Sequence, residues 1–357
     1  MSSMNSKNTK HMNPIAIRLL AQQLACPQLS SPKDIVSHFG AMQAQDYRMM
    51  RWAVVMRMRR PSAEAFRKAY DDGEIIRLHL LRGTWQMVSH DDYPWMLRLF
   101  ANKAERTIRG WMKANCVTID DEELHAIRNI LAEECAAKGS VTKEDFAVAL
   151  MRHGIAMDAH RLSYHIRLAE TNGTLCSGCL TPMRATYTLA SNKVKTMVQT
   201  SKEEMLAMLA RKYYQSHSPA TFDDYLWWSG LTAAECRRGM DALGAELSKE
   251  TWKGYEFFIH ESCRRRGFRK GNSLLLPPFD EYLIGYKSRE LVLHQALAYH
   301  AHTNNGIFFP IIAHDGIICG NWSPWATAMK ASLFMPMEEE LAFGRQWEDF
   351  SRTKGFL

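Results

Sequence analysis

Three times along this chain a hydroxyl-bearing residue stands three positions before an acid: Ser31 and Asp34, Thr142 and Asp145, Thr221 and Asp224. The side-chain oxygen can accept from a backbone N–H that the first helical turn leaves unpaired, and the acid suits the positive helix end. One short helix and then a glycine follow each time, at Gly40, Gly154 and Gly230, with a second helical stretch beyond. The third copy is the clearest, because Thr232 and Glu235 repeat the capping pattern just past Gly230.

Two copies then run into hairpin-like sequence. Asn172-Gly173 ends one helix and Thr174 to Leu189 alternates with β-formers; Gly244 ends another, and Ala245 to Lys249 and Tyr255 to His260 flank the turn signal Lys253-Gly254. Helix, tight turn, helix, hairpin is the order of a winged helix-turn-helix. The first copy is less regular: a helix over Met49 to Met58, then strand-turn-strand over Glu74 to Val88. Asp91 to Lys138 reads as helical throughout, and Ser201 with Glu204 caps a further helix carrying the apolar stripe Met205, Leu206, Met208, Leu209 and Tyr213.

The last ninety or so residues change character. Ile307 to Ile312 and Ile317 to Trp322 flank His314-Asp315-Gly316, a strong hairpin signal, with one helix expected near Ser288 to His300. The predicted fold is therefore mainly α with β (α+β), three tandem winged helix-turn-helix units followed by a small C-terminal β-barrel or β-rich module. The boundaries drawn are a disordered tail over 1–12, units over 13–115, 116–195 and 196–270, and the module over 271–357. At 357 residues the chain is long enough for two or three such folded units, with no need of disulfides to stabilise the core.

Charge points toward a polyanion. Seven basic residues lie between Arg48 and Lys68 against one acid, Glu64, and Arg264, Arg265, Arg266, Arg269 and Lys270 crowd into one short run. Clustered cations of this kind suit a nucleic-acid backbone, and solvated faces are the bland alternative. No apolar run is long enough to span a bilayer, and the polar N-terminus does not read as a secretory signal, so a cytoplasmic location is expected.

Of eight cysteines only Cys176 and Cys179 form a CxxC, and a structural zinc site wants two more ligands at tight spacing. His153, His160 and His165 lie upstream without forming a paired-ligand motif, so metal, a redox pair and reduced thiols in a hairpin all remain open. No metal and no cofactor are expected. No HExxH, P-loop, dinucleotide glycine fingerprint or GxSxG is present either. What remains is Gln43-Ala44-Gln45, whose two glutamines can point one way if the segment is extended, or else form a solvated polar turn.

Several segments, in order, resemble the AlkZ-type winged-helix DNA glycosylases. Met42-Gln-Ala-Gln45 is similar to the family's catalytic Gln–aliphatic–Gln motif, and Arg77-Leu-His-Leu-Leu-Arg-Gly-Thr-Trp85 to its arginine-rich strand pair. Leu276-Pro-Pro-Phe-Asp-Glu-Tyr-Leu-Ile-Gly-Tyr-Lys287 resembles its distinctive C-terminal stretch, and Gly306-Ile-Phe-Phe-Pro310 with Asp315-Gly316 the hairpin after it. The resemblance implies three winged units and a β-barrel arranged as a C-shape around double-stranded DNA, and excision of N-alkylated purines, including crosslinks in some members. Two departures stand out: Gln86 where many members carry His after the Thr–Trp pair, and the dense basic run at Arg264–Lys270.

On this reading Gln43 and Gln45 are the catalytic candidates. Arg48, Arg51, Arg77, His79, Arg82, Arg264, Arg265, Arg266, Arg269 and Lys270 are the DNA-binding candidates, with His79 and Arg82 equally able to serve structural pairings. Asp280 and Glu281, expected on opposite faces of a strand, order the β module or support catalysis. Trp85, Trp227, Trp228 and Trp252 read as core more than as base-stacking platforms. An amide cannot act as a general base at neutral pH, but its oxygen can orient a water and its dipole can face a developing cation. A cationic N7-alkylguanine leaves without a general acid, which makes such a site sufficient. The expected protein is a monomeric, monofunctional DNA glycosylase; a winged-helix transcriptional regulator without chemistry is the alternative, and a nucleic-acid-associated scaffold the third.

Overall fold

The computed structural model describes residues 13–194, 200–334 and 341–354. The tail predicted over 1–12, and the boundary between 195 and 196, lie outside them. The expected capping chemistry is present in atomic detail. Thr142, Ser201, Thr221 and Thr232 each accept from the backbone three residues on, while Asp145, Glu204, Asp224 and Glu235 bond back to the cap. Ser31 accepts from the Asp34 N–H without the reciprocal bond. Each box satisfies donors the helix would otherwise leave bare, which sets the start of each helix locally.

The order of elements repeats. Helix Pro32–Phe39 leads into strand Ala41–Gln43, helices Met50–Val55 and Ala63–Asp71, and the strands Ile75–His79 and Trp85–Ser89. Helix Asp121–Lys138 precedes Val141–Thr142, helices Lys143–Arg152 and Ala159–Thr171, and the strands Leu175–Ser177 and Thr186–Leu189. Helices Lys202–His217, Phe222–Ser229 and Ala233–Asp241 run into the hairpin Leu247–Trp252 and Tyr255–His260. Each set closes a small antiparallel sheet; in the first, Trp85–Ser89 lies between Ala41–Gln43 and Ile75–His79. Lys253 and Gly254 both take positive φ, as a tight two-residue hairpin turn requires.

Three expectations change, and of the two alternatives for the C-terminal module the barrel drops out. The helical stretch from Asp91 to Lys138 is two helices, Tyr93–Ala114 and Asp121–Lys138, broken where Cys116 turns to positive φ. The C-terminal strands form an open sheet, Ser273–Leu276, Ile311–His314, Ile317–Trp322 and Ala331–Leu333 in spatial order, with no closed barrel among the described residues. Side chains cap the Ser273–Leu276 edge instead: the Leu275 N–H donates to Gln346, and Trp52 and Trp322 donate to the Leu275 and Leu276 carbonyls. The helix expected near Ser288 to His300 shrinks to two short turns, Gln295–Leu297 and Ala298–Ala301. Val292 and Leu293 are buried, and the Val292 carbonyl accepts from Ile318, so this stretch packs as a loop on the sheet. Finally, Asp280 and Glu281 sit at a helix start rather than in a strand: Asp280 caps the turn Glu281–Ile284.

One hydrophobic core joins the two ends of the chain. Leu19, Phe39, Trp52 and Phe66 pack with Leu274, Leu276, Tyr282, Ile312 and Trp322. A second core lies on the other side of the first sheet, where Ile76, Leu78 and Val88 meet Leu209, Tyr213 and Trp228. The strand bearing the glutamines thus runs between two cores contributed by distant parts of the sequence.

Candidate active site

Gln43 ends its strand opposite Gln86. Its side-chain oxygen accepts from the Gln86 amide and from the Thr84 hydroxyl at 3.2 Å, and the Gln86 amide also donates to Thr84 at 2.9 Å. Its backbone N–H donates to Oε1 of Glu281 at 2.6 Å. Ala44 is gripped from both sides: its N–H donates to the Trp85 carbonyl at 2.8 Å, and its carbonyl accepts from Nε of Arg77 at 3.1 Å. Asp46 then turns the chain, accepting from the Arg48 and Met49 N–H groups, and helix Met50–Val55 begins. With both neighbours locked, Gln45 has little backbone freedom. Its Oε1 is buried and has no hydrogen-bond partner among the described residues.

Glu281 holds this strand through its own set of partners. Its second oxygen faces Nε2 of His217 at 3.3 Å and accepts from the Trp228 indole at 3.2 Å. Burial lowers the His217 pKa, against the pull of Glu281. Gly285 leaves room for that ring, since a Cβ there would come within 2.7 Å of the His217 imidazole. Asp280 belongs to a different pair: both its oxygens bond the buried Arg57 guanidinium, at 2.9 and 2.7 Å.

The first basic run divides, with Arg51 and Arg57 turned inward and Arg59, Arg60, Arg67 and Lys68 exposed. Arg51 and Arg57 are buried, and Arg51 donates to the Thr181 carbonyl at 2.6 Å. Arg77 and His79 are buried too; His79 bonds Glu170 and packs its ring 4.1 Å from that of Trp85. Desolvation lowers the His79 pKa while Glu170 opposes it. Arg82, in the left-handed region, donates to the Trp227 and Trp228 carbonyls. Arg48 lies half-buried over the exposed Trp325 ring, 3.6 Å from its centre.

The second run is split. Arg264 donates to the Cys26 carbonyl at 2.8 Å and Arg265 pairs with Glu250. Arg266, Arg269 and Lys270 are exposed and have no polar partner among the described residues. Arg269 and Lys270 face Arg59 and Arg345 across a recess of about 450 Å³, so the two sequence runs meet in space there. Gln43, Gln45, Arg77 and Glu281 therefore converge on one strand, whereas Arg82, Asp280 and the Arg264–Lys270 run stand apart from it. The Glu281–Gln43 bond and the roles of Gln86, His217 and Trp228 had no local sequence signal. Only the resemblance of the Asp280–Glu281 stretch pointed there.

Cys176 is buried and Cys179 exposed, both as free thiols. No group of three or more His, Cys, Asp or Glu side chains is placed to hold a metal among the described residues, and no helix among them is long and apolar enough to cross a membrane. What the strand offers is an amide oxygen, buried and unpaired, beside a second amide already anchored. That arrangement can fix a water or face a developing cation.

No curated protein matches the chain. The solved structure of Streptomyces sahachiroi DNA glycosylase AlkZ superposes with a TM-score of 0.75 at 20% identity, covering 96% of this chain and 95% of that one, a likeness of fold. The family model described as DNA glycosylase AlkZ-like matches residues 36–342, a span that includes the glutamine strand, Gln86 and Glu281. On that match the chain belongs to the AlkZ-like DNA glycosylase family.

Proposed function

We propose that this DNA glycosylase releases cationic N-alkylated purines, interstrand crosslinks among them, by water attack at the sugar C1′. The unpaired buried Oε1 of Gln45 carries the reading. A buried acceptor without a donor costs about 1–3 kcal/mol, and a water held there would recover that cost while aiming at an extruded nucleotide. The water oxygen bonds to C1′ as the C1′–N9 bond breaks, and that electron pair neutralises the alkylated base. The water's proton goes to solvent. No acid is required at the leaving group, so a neutral amide suffices, and an unmodified purine is excluded by its poor leaving ability.

In this reading three tandem winged units and the C-terminal sheet clasp a duplex as one monomer in the cytoplasm. Arg48, Arg266, Arg269 and Lys270 reach phosphates, while Arg51, Arg57 and Arg264 order the scaffold. The test is single-turnover release of N7-methylguanine from a duplex. Gln45→Ala is expected to lower it by about 10- to 1,000-fold, the range for losing a positioned polar group. Gln45→Asp should retain more activity than Ala, because a carboxylate still orients water. Wild-type protein that binds duplex but frees no cationic purine would leave the regulator reading in its place.

A further inference from the structure

Two arginines beside the glutamine strand, Arg77 buried and Arg167 half-buried, have guanidinium groups with few protein acceptors. Arg77 is 4% exposed, yet beyond its Nε bond to Ala44 its terminal nitrogens meet no acceptor among the described residues. The side chain of Arg167, on the neighbouring helix Ala159–Thr171, has no hydrogen bond or ion pair among them, and its Nε is buried. Both guanidinium carbons lie against the same indole, at 4.5 and 5.7 Å from the Trp85 ring centre. Tyr47 faces Arg77 at 5.4 Å, and Trp111 and Tyr164 face Arg167 at 5.7 and 5.6 Å. The Trp85 indole N–H is itself buried and unpaired.

Cations outnumber carboxylates at this point. Glu170, from the same helix as Arg167, is committed to His79. Burial first, and then the nearness of Arg167, hold Lys143 below the ordinary lysine range. Aromatic faces orient guanidinium planes without neutralising their charge, and the Arg167 Nε–H stays buried and unpaired. An anion with several oxygens would satisfy both arginines together.

We propose that Arg77 and Arg167 form a binding site for one backbone phosphate flanking the extruded nucleotide, Trp85 setting the spacing between them. The inference rests on the proposed base-release reading, which requires the nucleotide to swing out about its flanking phosphates beside Gln45. Phosphate contacts fix register and orientation without reading sequence. Arg167 comes from a helix remote in sequence from the glutamine strand, so the site would couple correct seating of the strand to the position of Gln45.

The test uses binding alone, so it stands apart from catalysis. The full chain is titrated with a duplex carrying a tetrahydrofuran abasic analogue, over a range of salt, with each flanking phosphate replaced in turn by an uncharged methylphosphonate. Arg167→Gln is expected to weaken binding roughly tenfold and to flatten the log-affinity against log-salt slope by about one. At one flanking position the neutral linkage should weaken wild type but leave the variant unchanged, and Arg167→Lys should keep most of the slope. Removing Arg167 leaves no partner stranded, and an unchanged unfolding midpoint would verify that the variant folds. An unaltered slope, penalties that multiply at every position, or a wild type that fails to bind this duplex overturns the inference. Wild type that shows the position-specific loss but frees no N7-methylguanine would overturn the base-release reading while leaving the phosphate site in place.

Discussion

The backbone N–H of Gln43 donates to Oε1 of Glu281 at 2.6 Å, across 238 residues of sequence. That bond fastens the candidate catalytic strand to the helix start at Asp280, which Arg57 holds by a bidentate pair. Glu281 also serves His217 and Trp228, so one carboxylate joins the glutamine strand to two further helices. It acts as a positioning group here, since both its oxygens are occupied by protein donors.

Glu281→Ala is expected to strand the Gln43 and Trp228 N–H groups in a dry interior. At about 1–3 kcal/mol for each buried unpaired donor, the loss should be several kcal/mol in urea unfolding. Glu281→Gln keeps one carbonyl oxygen for the Gln43 N–H and should lose less. Base release in that variant should fall with duplex affinity unchanged, because no group that meets a phosphate is removed. Equal stability of the Ala variant and wild type would show that the bond contributes little.

Local chemistry was legible in the sequence and distant chemistry was not. The boxes at Thr142, Ser201, Thr221 and Thr232 close over three residues, so residue identity alone places them. The turns at Lys253-Gly254 and Asp315-Gly316 are equally local, each with positive φ at both positions. The Arg57–Asp280 pair spans 223 residues, and nothing near either residue signals the other. A run of basic residues also carries no direction: in the first run Arg51 and Arg57 turn inward while Arg59 and Arg60 face solvent. The expected helix near Ser288 failed because its apolar residues are spent on the neighbouring sheet, a tertiary demand that overrides local pattern.

The basic run should divide by function according to what each side chain meets. Replacing Arg266, Arg269 and Lys270 by Ala should flatten the log-affinity against log-salt slope by up to about three, close to 0.9 for each phosphate left without its cation. Arg264→Ala should instead lower the unfolding midpoint, because its guanidinium donates to the Cys26 carbonyl. A slope unchanged by the triple replacement would mark the run as a solvated loop.

Acid should destabilise the protein in part through His38. Its Nε2–H donates to the Ala21 carbonyl at 2.7 Å, and burial nonetheless holds its pKa down to about 4 from 6.5. The unfolded chain therefore takes up a proton below about pH 6.5 that the folded chain refuses. The stability is fully present above that pH and is lost as pH falls toward about 4, by at most about 1.4 kcal/mol per pH unit. His38→Gln, which keeps a donor for Ala21, should make the urea midpoint flatter between those limits. An identical pH profile for the variant would remove His38 from the linkage.

Gln86 lies directly against Gln43. Its amide donates to Gln43 and to Thr84, which in turn donates to Gln43, so three side chains share one small network. The Gln86 side chain is buried, and Leu is close enough in size to replace it without opening a large cavity. Gln86→Leu should therefore free the Gln43 amide to rotate while leaving the strand paired. The expected result is a fall in N7-methylguanine release of roughly tenfold, the effect of loosening a positioned polar group by one hydrogen bond. Duplex affinity should stay within about twofold, since no cation is touched. Gln86→His should restore part of the rate, because an imidazole N–H can donate to the same oxygen. Should Leu release base as fast as wild type, Gln43 would not need its anchor, and the burden of the chemistry would fall on Gln45 alone.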